Sequence, residues 1–339
     1  MSYILPPKIE KEKSDPKTLF YKITAISVGV FLLLFLFQKS ANYISNKNNT
    51  NNNGNVLGVK SESENVSKID ELKNKLVLPP IIIPGTPKPI INAKNYILVD
   101  QKSAEIIVAK DEYISVPVAS ITKLMTAVLT MENGKLDDIA TVSKNAVYTN
   151  GSTISLAIDE KISIDDLLNA LLINSANDSA IVLAEHISGS EEKFVELMNS
   201  KAKDLRMNNT NFLDPAGLND EGKSSAHDIA TLLSYALRFD KIKSIIKTSE
   251  KDITSVSGLN HHLVNSNRLV KEEMFFSGII GGKTGFTPTA GHNLVSAAER
   301  DGHILIAVII NTFSNTNTAS AEECKALLEW GYNNLKYFY

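Results

Sequence analysis

Residues 277–311 read SGIIGGKTGFTPTAGHNLVSAAERDGHILIAVIIN. Apolar and β-branched residues dominate three runs in this stretch, around residues 277–285, 292–299 and 303–311, and Gly, Pro and Asp separate the runs. Runs of this length with turn residues between them are typical of neighbouring strands. The stretch therefore predicts three strands of one sheet near the end of the folded region.

A second strand signal lies far upstream. Residues 96–109 read YILVD, QKSA and EIIVA, which predicts an antiparallel hairpin. The region between the two signals shows helical spacing of apolar residues, with starts marked by capping residues such as Ser163 before Asp166. The predicted helices cover 120–132, 163–173, 178–187, 191–205 and 224–239, and a terminal one covers 319–335. Strands at both ends of a helical middle predict one α+β domain whose terminal segments share an antiparallel sheet.

The N-terminal region contains an uncharged apolar run, ITAISVGVFLLLFLF, at residues 23–37. With flanking residues it is long enough to span a bilayer. Lysines are more frequent before it than after it, which favours a cytoplasmic N-terminus. We expect a cytoplasmic tail at 1–22 and a transmembrane anchor at 23–39. A cleaved signal peptide and a buried core helix are the alternatives, and QKSANYIS after the run makes a poor cleavage site.

Residues 40–94 have a different composition from the rest of the chain. They include NKNNTNNNGN and the proline-rich LPPIIIPGTPKPI. An Asn/Gly-rich run buries too little apolar surface to offset its ordering entropy, and proline-rich chain is extended. We expect a disordered, proline-rich stalk at 40–94 that carries a folded domain at 95–339 outside the cytoplasm.

The overall composition excludes several classes of protein. The chain has 339 residues, a formal net charge of -3 and one cysteine. This charge provides no basic surface for nucleic acid, so we expect no nucleic-acid partner. One cysteine forms neither an internal disulfide nor a thiolate zinc cage, and the histidines form no His-x-x-x-His pair. We therefore expect no metal site and no cofactor.

The first candidate for chemistry is Ser120-Ile-Thr-Lys123, at the start of a predicted helix. Residues three apart share a helix face, so the lysine amine lies within reach of the serine hydroxyl. Burial and a second cation both favour the neutral amine, which accepts the hydroxyl proton. The same Ser-x-x-Lys pattern recurs in this chain at Ser190, Ser200 and elsewhere, so the pair alone is not specific.

Two further motifs follow in a fixed order. Ser175-Ala-Asn177 lies between two predicted helices, where a break in the chain turns polar side chains into a cleft. A helix cap or a turn is the alternative interpretation. Lys283-Thr-Gly285 lies in a glycine-rich strand that allows a substrate backbone to approach closely. An edge strand protected by a lysine is the alternative there.

This ordered set resembles the Ser-x-x-Lys, Ser-x-Asn and Lys-Thr-Gly motifs of penicillin-binding proteins and class A β-lactamases. The segments VASITKLMTA, LLINSANDSA, FLDPAGL, VNSNRL and GGKTGFTPTAGHNLVSAA are similar to those of the low-molecular-mass D-alanyl-D-alanine carboxypeptidases. The resemblance covers nearly all of residues 95–339. It implies the β-lactamase/transpeptidase-like fold and a serine D,D-carboxypeptidase that trims peptidoglycan stem peptides and is acylated by β-lactam antibiotics.

The resemblance also implies roles for individual residues. Ser120 is the acylated nucleophile, Lys123 its general base, and Ser175 a proton relay. Asn177 holds a substrate amide, and Lys283 and Thr284 of the Lys-Thr-Gly285 motif bind the terminal carboxylate. The oxyanion donors are the backbone amides of Ser120 and Phe286.

Three competing functions stay open. A class A β-lactamase needs a glutamate that activates a deacylating water. The segment from Leu205 to Ser224 has no acid four residues before an asparagine, and Asp214-Pro-Ala-Gly-Leu fits the carboxypeptidase pattern instead. A D,D-endopeptidase that cuts cross-links is the second, and a non-catalytic peptidoglycan-binding relative is the third. In each case we expect a bacterial protein that is attached to the cell membrane through its N-terminal helix, with the domain extracytoplasmic.

Overall fold

Strands from the two ends of the folded region form the large sheet. The structure, a computed structural model, describes residues 77–312, 316 and 318–337. Its strands are β1 (Ile81–Ile82), β2 (Asn95–Asp100), β3 (Ile106–Lys110), β4 (Ile139–Thr141), β5 (Lys161–Ser163), β6 (Glu250–Thr254), β7 (Asn260–Val264), β8 (Ile279–Thr287), β9 (Gly291–Arg300), β10 (His303–Thr312) and β11 (Leu335–Lys336).

The five-stranded sheet has the order β3-β2-β10-β9-β8. Each neighbouring pair is antiparallel, with Val308 opposite Ile97 and Lys283 opposite Val295. Strand β10 joins the hairpin near the start of the domain to the strands near its end. The predicted α+β domain with a shared antiparallel sheet is therefore confirmed, and β8, which contains the Lys-Thr-Gly motif, is an edge strand.

Helices cover both faces of this sheet. They are α1 (Lys123–Asn133), α2 (Lys144–Val147), α3 (Ile164–Asn169), α4 (Asn177–Ser188), α5 (Glu191–Asp204), α6 (Ala226–Ala236), α7 (Asp240–Lys247) and α8 (Ala319–Asn334). Alternate residues of β10 point to opposite faces, as the pleat requires. Ile306, Val308 and Ile310 belong to the core shared with the helical region, whereas Leu305, Ala307 and Ile309 pack in the core that includes α8.

Two predicted helices differ from the expectation where the candidate motifs lie. The segment 119–122 is a 3-10 turn, and the α-helix begins at Lys123. The helix predicted from Ser163 has the expected cap, since Ser163 Oγ accepts a hydrogen bond from the Asp166 N–H, but it continues as a π-helix over Ala170–Asn174. Short π-helical segments within α-helices are frequent at functional sites.

The sequence prediction has no counterpart for the two-stranded pairs β1-β11, β4-β5 and β6-β7 or for the helices α2 and α7. Strands β6 and β7 read EKDIT and NHHLV, in which polar residues leave little alternating apolar pattern.

The sequence analysis assigned residues 77–94 to the disordered stalk. The structure contradicts this assignment, because these residues contact the folded domain. Strand β1 pairs with β11, and Ala93 is fully buried in the core beneath α8. The predicted tail at 1–22, anchor at 23–39 and stalk as far as residue 76 lie outside the described residues. Within the described part of the chain, no helix is long and apolar enough to cross a membrane.

Candidate active site

Ser120 lies in a strained turn at the start of α1. Its neighbour Ala119 has φ of 51°, in the left-handed region that L-residues with a Cβ rarely adopt. Gly217 packs directly against this turn, because a Cβ added at Gly217 meets the Ala119 carbonyl oxygen at 2.0 Å. Two separate parts of the chain therefore fix the backbone at Ser120, as is expected of a strained functional residue.

Lys123 is fully buried and its amine faces the serine. Lys123 Nζ lies 2.9 Å from Ser120 Oγ and donates to the Ala216 carbonyl oxygen at 2.6 Å. Desolvation lowers the pKa of Lys123 from 10.5 to about 7, against the opposing charges of Asp214 and Asp178. A neutral amine with one hydrogen bond to a carbonyl keeps its lone pair for the serine proton.

Ser175 and Lys283 form a second serine–lysine pair. Ser175 follows the π-helix with φ of 60°, which turns its side chain out of the helical path. Lys283 Nζ donates to Ser175 Oγ at 2.8 Å and to the Thr284 carbonyl oxygen at 3.0 Å. Lys283 is buried, and desolvation together with the charge of Lys123 lowers its pKa well below the usual value. A hydrogen bond thus connects the Ser-x-Asn motif to the Lys-Thr-Gly motif.

Asn177 is buried at the first residue of α4. Its Nδ2 donates to the Asn150 carbonyl oxygen at 2.6 Å, and its backbone N–H donates to the Ser152 carbonyl oxygen at 2.7 Å. Its Oδ1 has no hydrogen-bond partner among the described residues. Buried polar atoms are rarely left unpaired, so this oxygen is available to an amide N–H of a ligand.

Strand β8 passes close to Ser120. A Cβ added at Gly285 meets the Val118 carbonyl oxygen at 2.4 Å and the Ser120 nitrogen at 3.2 Å. Glycine is therefore required here by a close approach of two backbones. The next residue, Phe286, is half exposed and stacks on His292 with 4.4 Å between ring centroids.

Ser266 is a candidate site residue that the sequence analysis did not identify. Its Oγ lies 2.6 Å from Thr284 Oγ1, so two hydroxyl groups stand side by side next to Lys283. The flanking Asn265 and Asn267 are buried and bond to backbone groups and to Ser296, which fixes the turn that presents Ser266. The sequence signal for Ser266 was the VNSNRL segment, which contains it.

The Asp214 carboxylate holds the loop of residues 214–219 together through hydrogen bonds. Its carboxylate accepts hydrogen bonds from the backbone N–H groups of residues 216, 217, 218 and 219. The same loop supplies the Ala216 carbonyl oxygen that holds Lys123. The Asp214 carboxylate is therefore committed to the loop's own backbone.

Other reactive side chains lie away from this cluster. Cys324 is fully buried, and desolvation raises the pKa of its thiol to about 12, so it is a core residue. His261 is buried and bonds to Glu160. Within the described residues, no group of histidine, cysteine and acidic side chains is arranged to hold a metal ion.

The site combines a nucleophile, a base and a second basic pair in one cleft. Ser120 and Lys123 come from the start of α1, Ser175 and Asn177 from the π-helix and α4, and residues 283–286 from β8. Such a constellation performs acyl transfer, in which a serine attacks a carbonyl and a positioned amine takes its proton.

The comparison with protein families gives one match. The model described as D-alanyl-D-alanine carboxypeptidase, Peptidase_S11, matches residues 84–314.

Named relatives and a solved structure agree with that match. D-alanyl-D-alanine carboxypeptidase DacF of Bacillus subtilis (strain 168) is 35% identical over 241 residues, which are 69% of this chain and 61% of that protein. The chain thus spans less than two thirds of that relative. A D-alanyl-D-alanine endopeptidase of Escherichia coli (strain K12) is 31% identical over 72% of this chain and 79% of that protein. The D-alanyl-D-alanine carboxypeptidase of Mycobacterium tuberculosis H37Rv superposes with a TM-score of 0.68 and 26% identity, covering 75% of this chain and 96% of that one.

Proposed function

Because the chain belongs to the D-alanyl-D-alanine carboxypeptidase family, we propose that it is a serine-type D-Ala-D-Ala carboxypeptidase. It removes the terminal D-alanine from peptidoglycan stem peptides through an acyl-enzyme on Ser120. The observation that carries the proposal is the buried Lys123 amine, whose pKa is about 7 and which lies 2.9 Å from Ser120 Oγ. A base with this pKa is half deprotonated at neutral pH, where general-base catalysis is most effective.

In the first step, Ser120 Oγ attacks the carbonyl carbon of the last peptide bond, and its proton passes to neutral Lys123. The carbonyl oxygen becomes an oxyanion. The backbone amides of Ser120 and Phe286 are the proposed donors to it, and the close approach of Gly285 to the Ser120 nitrogen supports this placement. In comparable enzymes, removal of one such donor costs about 3–4 kcal/mol of transition-state stabilisation.

The tetrahedral intermediate then expels D-alanine, whose amine gains the proton that Lys123 took from Ser120, so that Lys123 is neutral again. Ser175 Oγ is the proposed relay for this proton, since it lies 2.8 Å from Lys283 Nζ. A water molecule next attacks the serine ester, and neutral Lys123 takes its proton. Lys123 returns this proton to Ser120 Oγ as the ester bond breaks, and the shortened peptide leaves with a new carboxyl group. Asn177 Oδ1 is free to accept a substrate amide N–H during both steps.

The substrate's terminal carboxylate is assigned to the end of the cleft formed by Lys283, Thr284 and Ser266. Two hydroxyl groups and a lysine amine provide hydrogen-bond donors to a carboxylate, and a charged donor strengthens such bonds. The Ser266–Thr284 hydroxyl contact of 2.6 Å supports this assignment.

A β-lactamase is less well supported. That reaction needs a free carboxylate that activates the deacylating water. Asp214 is occupied by backbone N–H groups, and the Asp220 carboxylate accepts a hydrogen bond from Thr287 Oγ1 at 2.7 Å. An endopeptidase is the second candidate, because the E. coli relative with that name covers the chain as well as the carboxypeptidases do.

The test starts with a fluorescent penicillin on the purified protein. We expect covalent labelling of the wild type and none of Ser120→Ala. Ser200→Ala is the matched control, since Ser200 and Lys203 repeat the Ser-x-x-Lys spacing on the exposed side of α5. An unlabelled wild type, or a labelled Ser120→Ala, refutes the mechanism.

Substrates then separate the candidate activities. A stem pentapeptide should release D-alanine, whereas cleavage of cross-linked muropeptides only is the result for an endopeptidase. Fast turnover of nitrocefin instead of a persistent acyl-enzyme indicates a β-lactamase. A non-catalytic relative binds cell wall without releasing D-alanine.

We also propose that the protein is attached to the bacterial cell membrane by residues 23–39, with the catalytic domain on the extracytoplasmic side. The apolar run and the lysine bias around it support this placement. The protein should stay in the membrane fraction after a high-salt wash. Recovery of a soluble form that begins near residue 40 favours a cleaved signal peptide instead.

A further inference from the structure

The side-chain amide of Asn177 packs against a glycine of the loop between α2 and β5. Gly151 has φ of 85°, and a Cβ added to it meets Asn177 Nδ2 at 2.8 Å and Leu218 Cδ2 at 3.8 Å. The first distance is shorter than an ordinary contact of a Cβ, so a side chain at residue 151 requires the Asn177 amide to move. Gly151 therefore keeps free the space next to this amide.

The residue before this glycine determines which way the Asn177 amide faces. Asn177 Nδ2 donates to the Asn150 carbonyl oxygen at 2.6 Å. A carbonyl oxygen only accepts hydrogen bonds, so the nitrogen of the amide must lie on this side. Oδ1 is then directed away from Asn150, and it has no partner among the described residues. Rotation of the amide by half a turn would place two oxygens in contact and would present an N–H donor to a ligand instead of an acceptor.

The bend at residues 150–152 is held in place from both sides of the Ser-x-Asn motif. Before the motif, the Asn174 carbonyl oxygen accepts from Ser152 Oγ at 2.9 Å. After it, the buried Asp178 carboxylate accepts from the N–H groups of Ile154 at 3.1 Å and Leu156 at 3.2 Å. Because the chain on each side of the motif is bonded to the same loop, the bend and the Asn177 amide keep one relative position.

A turn conformation alone does not explain the glycine at residue 151. Gly189, at the end of α4, has a nearly equal φ of 82°, and a Cβ added there has no heavy atom within 4 Å. The two positions share the left-handed backbone and differ in the contact with Asn177. Because that contact is with the free end of a side chain, a Cβ at residue 151 displaces the Asn177 amide more readily than the backbone.

We propose that the 150–152 bend clamps the Asn177 amide, with Gly151 as the positioning residue. The clamp makes the enzyme selective for acyl donors with an amide N–H on the carbon beside the reacting carbonyl group. This inference rests on the proposed function, because it concerns the acylation of Ser120. The N–H of such a donor pairs with Asn177 Oδ1, whereas a donor without it leaves the oxygen unpaired and gains nothing from the clamp.

Two β-lactams that differ in this group test the clamp in the full-length protein. Benzylpenicillin carries an acylamino N–H beside the β-lactam carbonyl, and penicillanic acid has a hydrogen atom in place of the acylamino group. The second-order rate constant for acylation of Ser120 is measured for each from the mass of the intact protein. The ratio of the two constants is the selectivity.

Gly151→Ala should lower this selectivity. We expect it to react with benzylpenicillin about 3- to 10-fold more slowly than the wild type, which is the net worth of one hydrogen bond. Its rate constant for penicillanic acid should stay within about 2-fold of the wild-type value, because that compound makes no such bond. Gly189→Ala is the matched control, with the same backbone strain and no contact, and should keep both wild-type constants.

A double-mutant cycle with Asn177→Ala separates the clamp from a general loss of structure. Asn177→Ala removes the acceptor, so adding Gly151→Ala should slow benzylpenicillin no further, since residues that act through one contact are not additive. The cycle needs benzylpenicillin alone, so it decides even where penicillanic acid reacts too slowly to measure. If Gly151→Ala does not fold, Ser152→Ala takes its place, because it removes the bond to Asn174 and should lower the selectivity in the same direction.

The outcomes separate this inference from the proposed function. A wild type that benzylpenicillin never acylates refutes the Ser120 mechanism and this role with it. If the wild type is acylated, three results overturn the clamp and leave the mechanism standing. Gly151→Ala reacts like Gly189→Ala, or it slows equally with both β-lactams, or its effect adds fully to that of Asn177→Ala.

Discussion

Burial of the Lys123 amine determines when Ser120 is activated. The ammonium form is disfavoured because the side chain is removed from water, and the carboxylates of Asp214 and Asp178 only partly compensate. Lys283 is buried nearby, and its pKa is lowered by desolvation and by the charge of Lys123. Burial therefore makes a neutral lysine amine accessible near neutral pH. A solvent-exposed lysine is protonated at that pH.

The pH dependence of acylation follows from this burial. The folded-state pKa of Lys123 is about 7, so the amine is mostly protonated below that pH and mostly neutral above it. We expect the rate constant for penicillin acylation to rise through about pH 7 and then level off. Lys123→Arg keeps the positive charge at all pH values and should lose at least about 100-fold in rate, which is the usual contribution of a general base. A profile that is flat through neutral pH contradicts Lys123 as the base.

Backbone contacts between separate segments shape the site at the level of elements. The 3-10 turn at Ala119–Thr122, the Asp214 loop and strand β8 meet with no room for a side chain at Gly217 or Gly285. The Asp214 carboxylate and the bond from Thr126 Oγ1 to the Pro215 carbonyl oxygen fix the loop in this position. The position of Ser120 is thus fixed mainly by the Asp214 loop and strand β8, which pack against its turn.

Gly217 tests this packing against a matched glycine. Gly217 and Gly302 both have φ of 76°, but a Cβ at Gly302 has no heavy atom within 4 Å, whereas one at Gly217 meets the Ala119 carbonyl oxygen at 2.0 Å. Gly302→Ala should cost about 1–2 kcal/mol for the left-handed backbone alone. Gly217→Ala should cost about 3–4 kcal/mol, because overpacking adds to the backbone cost.

Denaturant unfolding measures both costs, and penicillin labelling reports the site. Acylation should slow in Gly217→Ala and stay at the wild-type rate in Gly302→Ala. If the two variants lose the same free energy of unfolding, the close contact between residue 217 and the Ala119 carbonyl oxygen adds no cost, and the prediction is wrong.

The sequence predicted elements whose pattern is local. The long apolar runs identified β9 and β10, and the capping residue Ser163 identified the start of α3. The helix predicted over 224–239 corresponds to α6, which begins at Ala226. The three motifs identified Ser120, Ser175 and Lys283, and the structure brings them into one cleft. Ser266 escaped detection because its significance arises from a contact with Thr284, which is distant in sequence.

At the scale of the whole molecule, the site lies where the edge of the sheet meets the helical region. Strand β8 is an edge strand of the sheet, and helices cover the faces of the sheet. The segment before β2 packs against helix α8. The Trp330 Nε1 donates to the Pro87 carbonyl oxygen at 2.9 Å, and the Ala93 N–H donates to Glu323 Oε2 at 2.9 Å. Helix α8 is thus secured by residues that the composition assigned to a stalk.

Truncation at residue 95 tests whether residues 77–94 belong to the folded domain. Deleting them removes the β1–β11 pairing, the bonds to Trp330 and Glu323, and the buried Ala93. At about 1 kcal/mol for each hydrogen bond, the bonds to Trp330, Glu323 and the Asn334 carbonyl oxygen alone give a loss of at least about 3 kcal/mol. For a domain of this size that corresponds to a fall in Tm of about 6–12 °C. A protein that starts at residue 77 is the reference for this Tm, and both truncated forms should be labelled by penicillin below their Tm, because none of the deleted contacts named here involves a site residue. Equal Tm values for the two truncated forms would place residues 77–94 outside the domain after all.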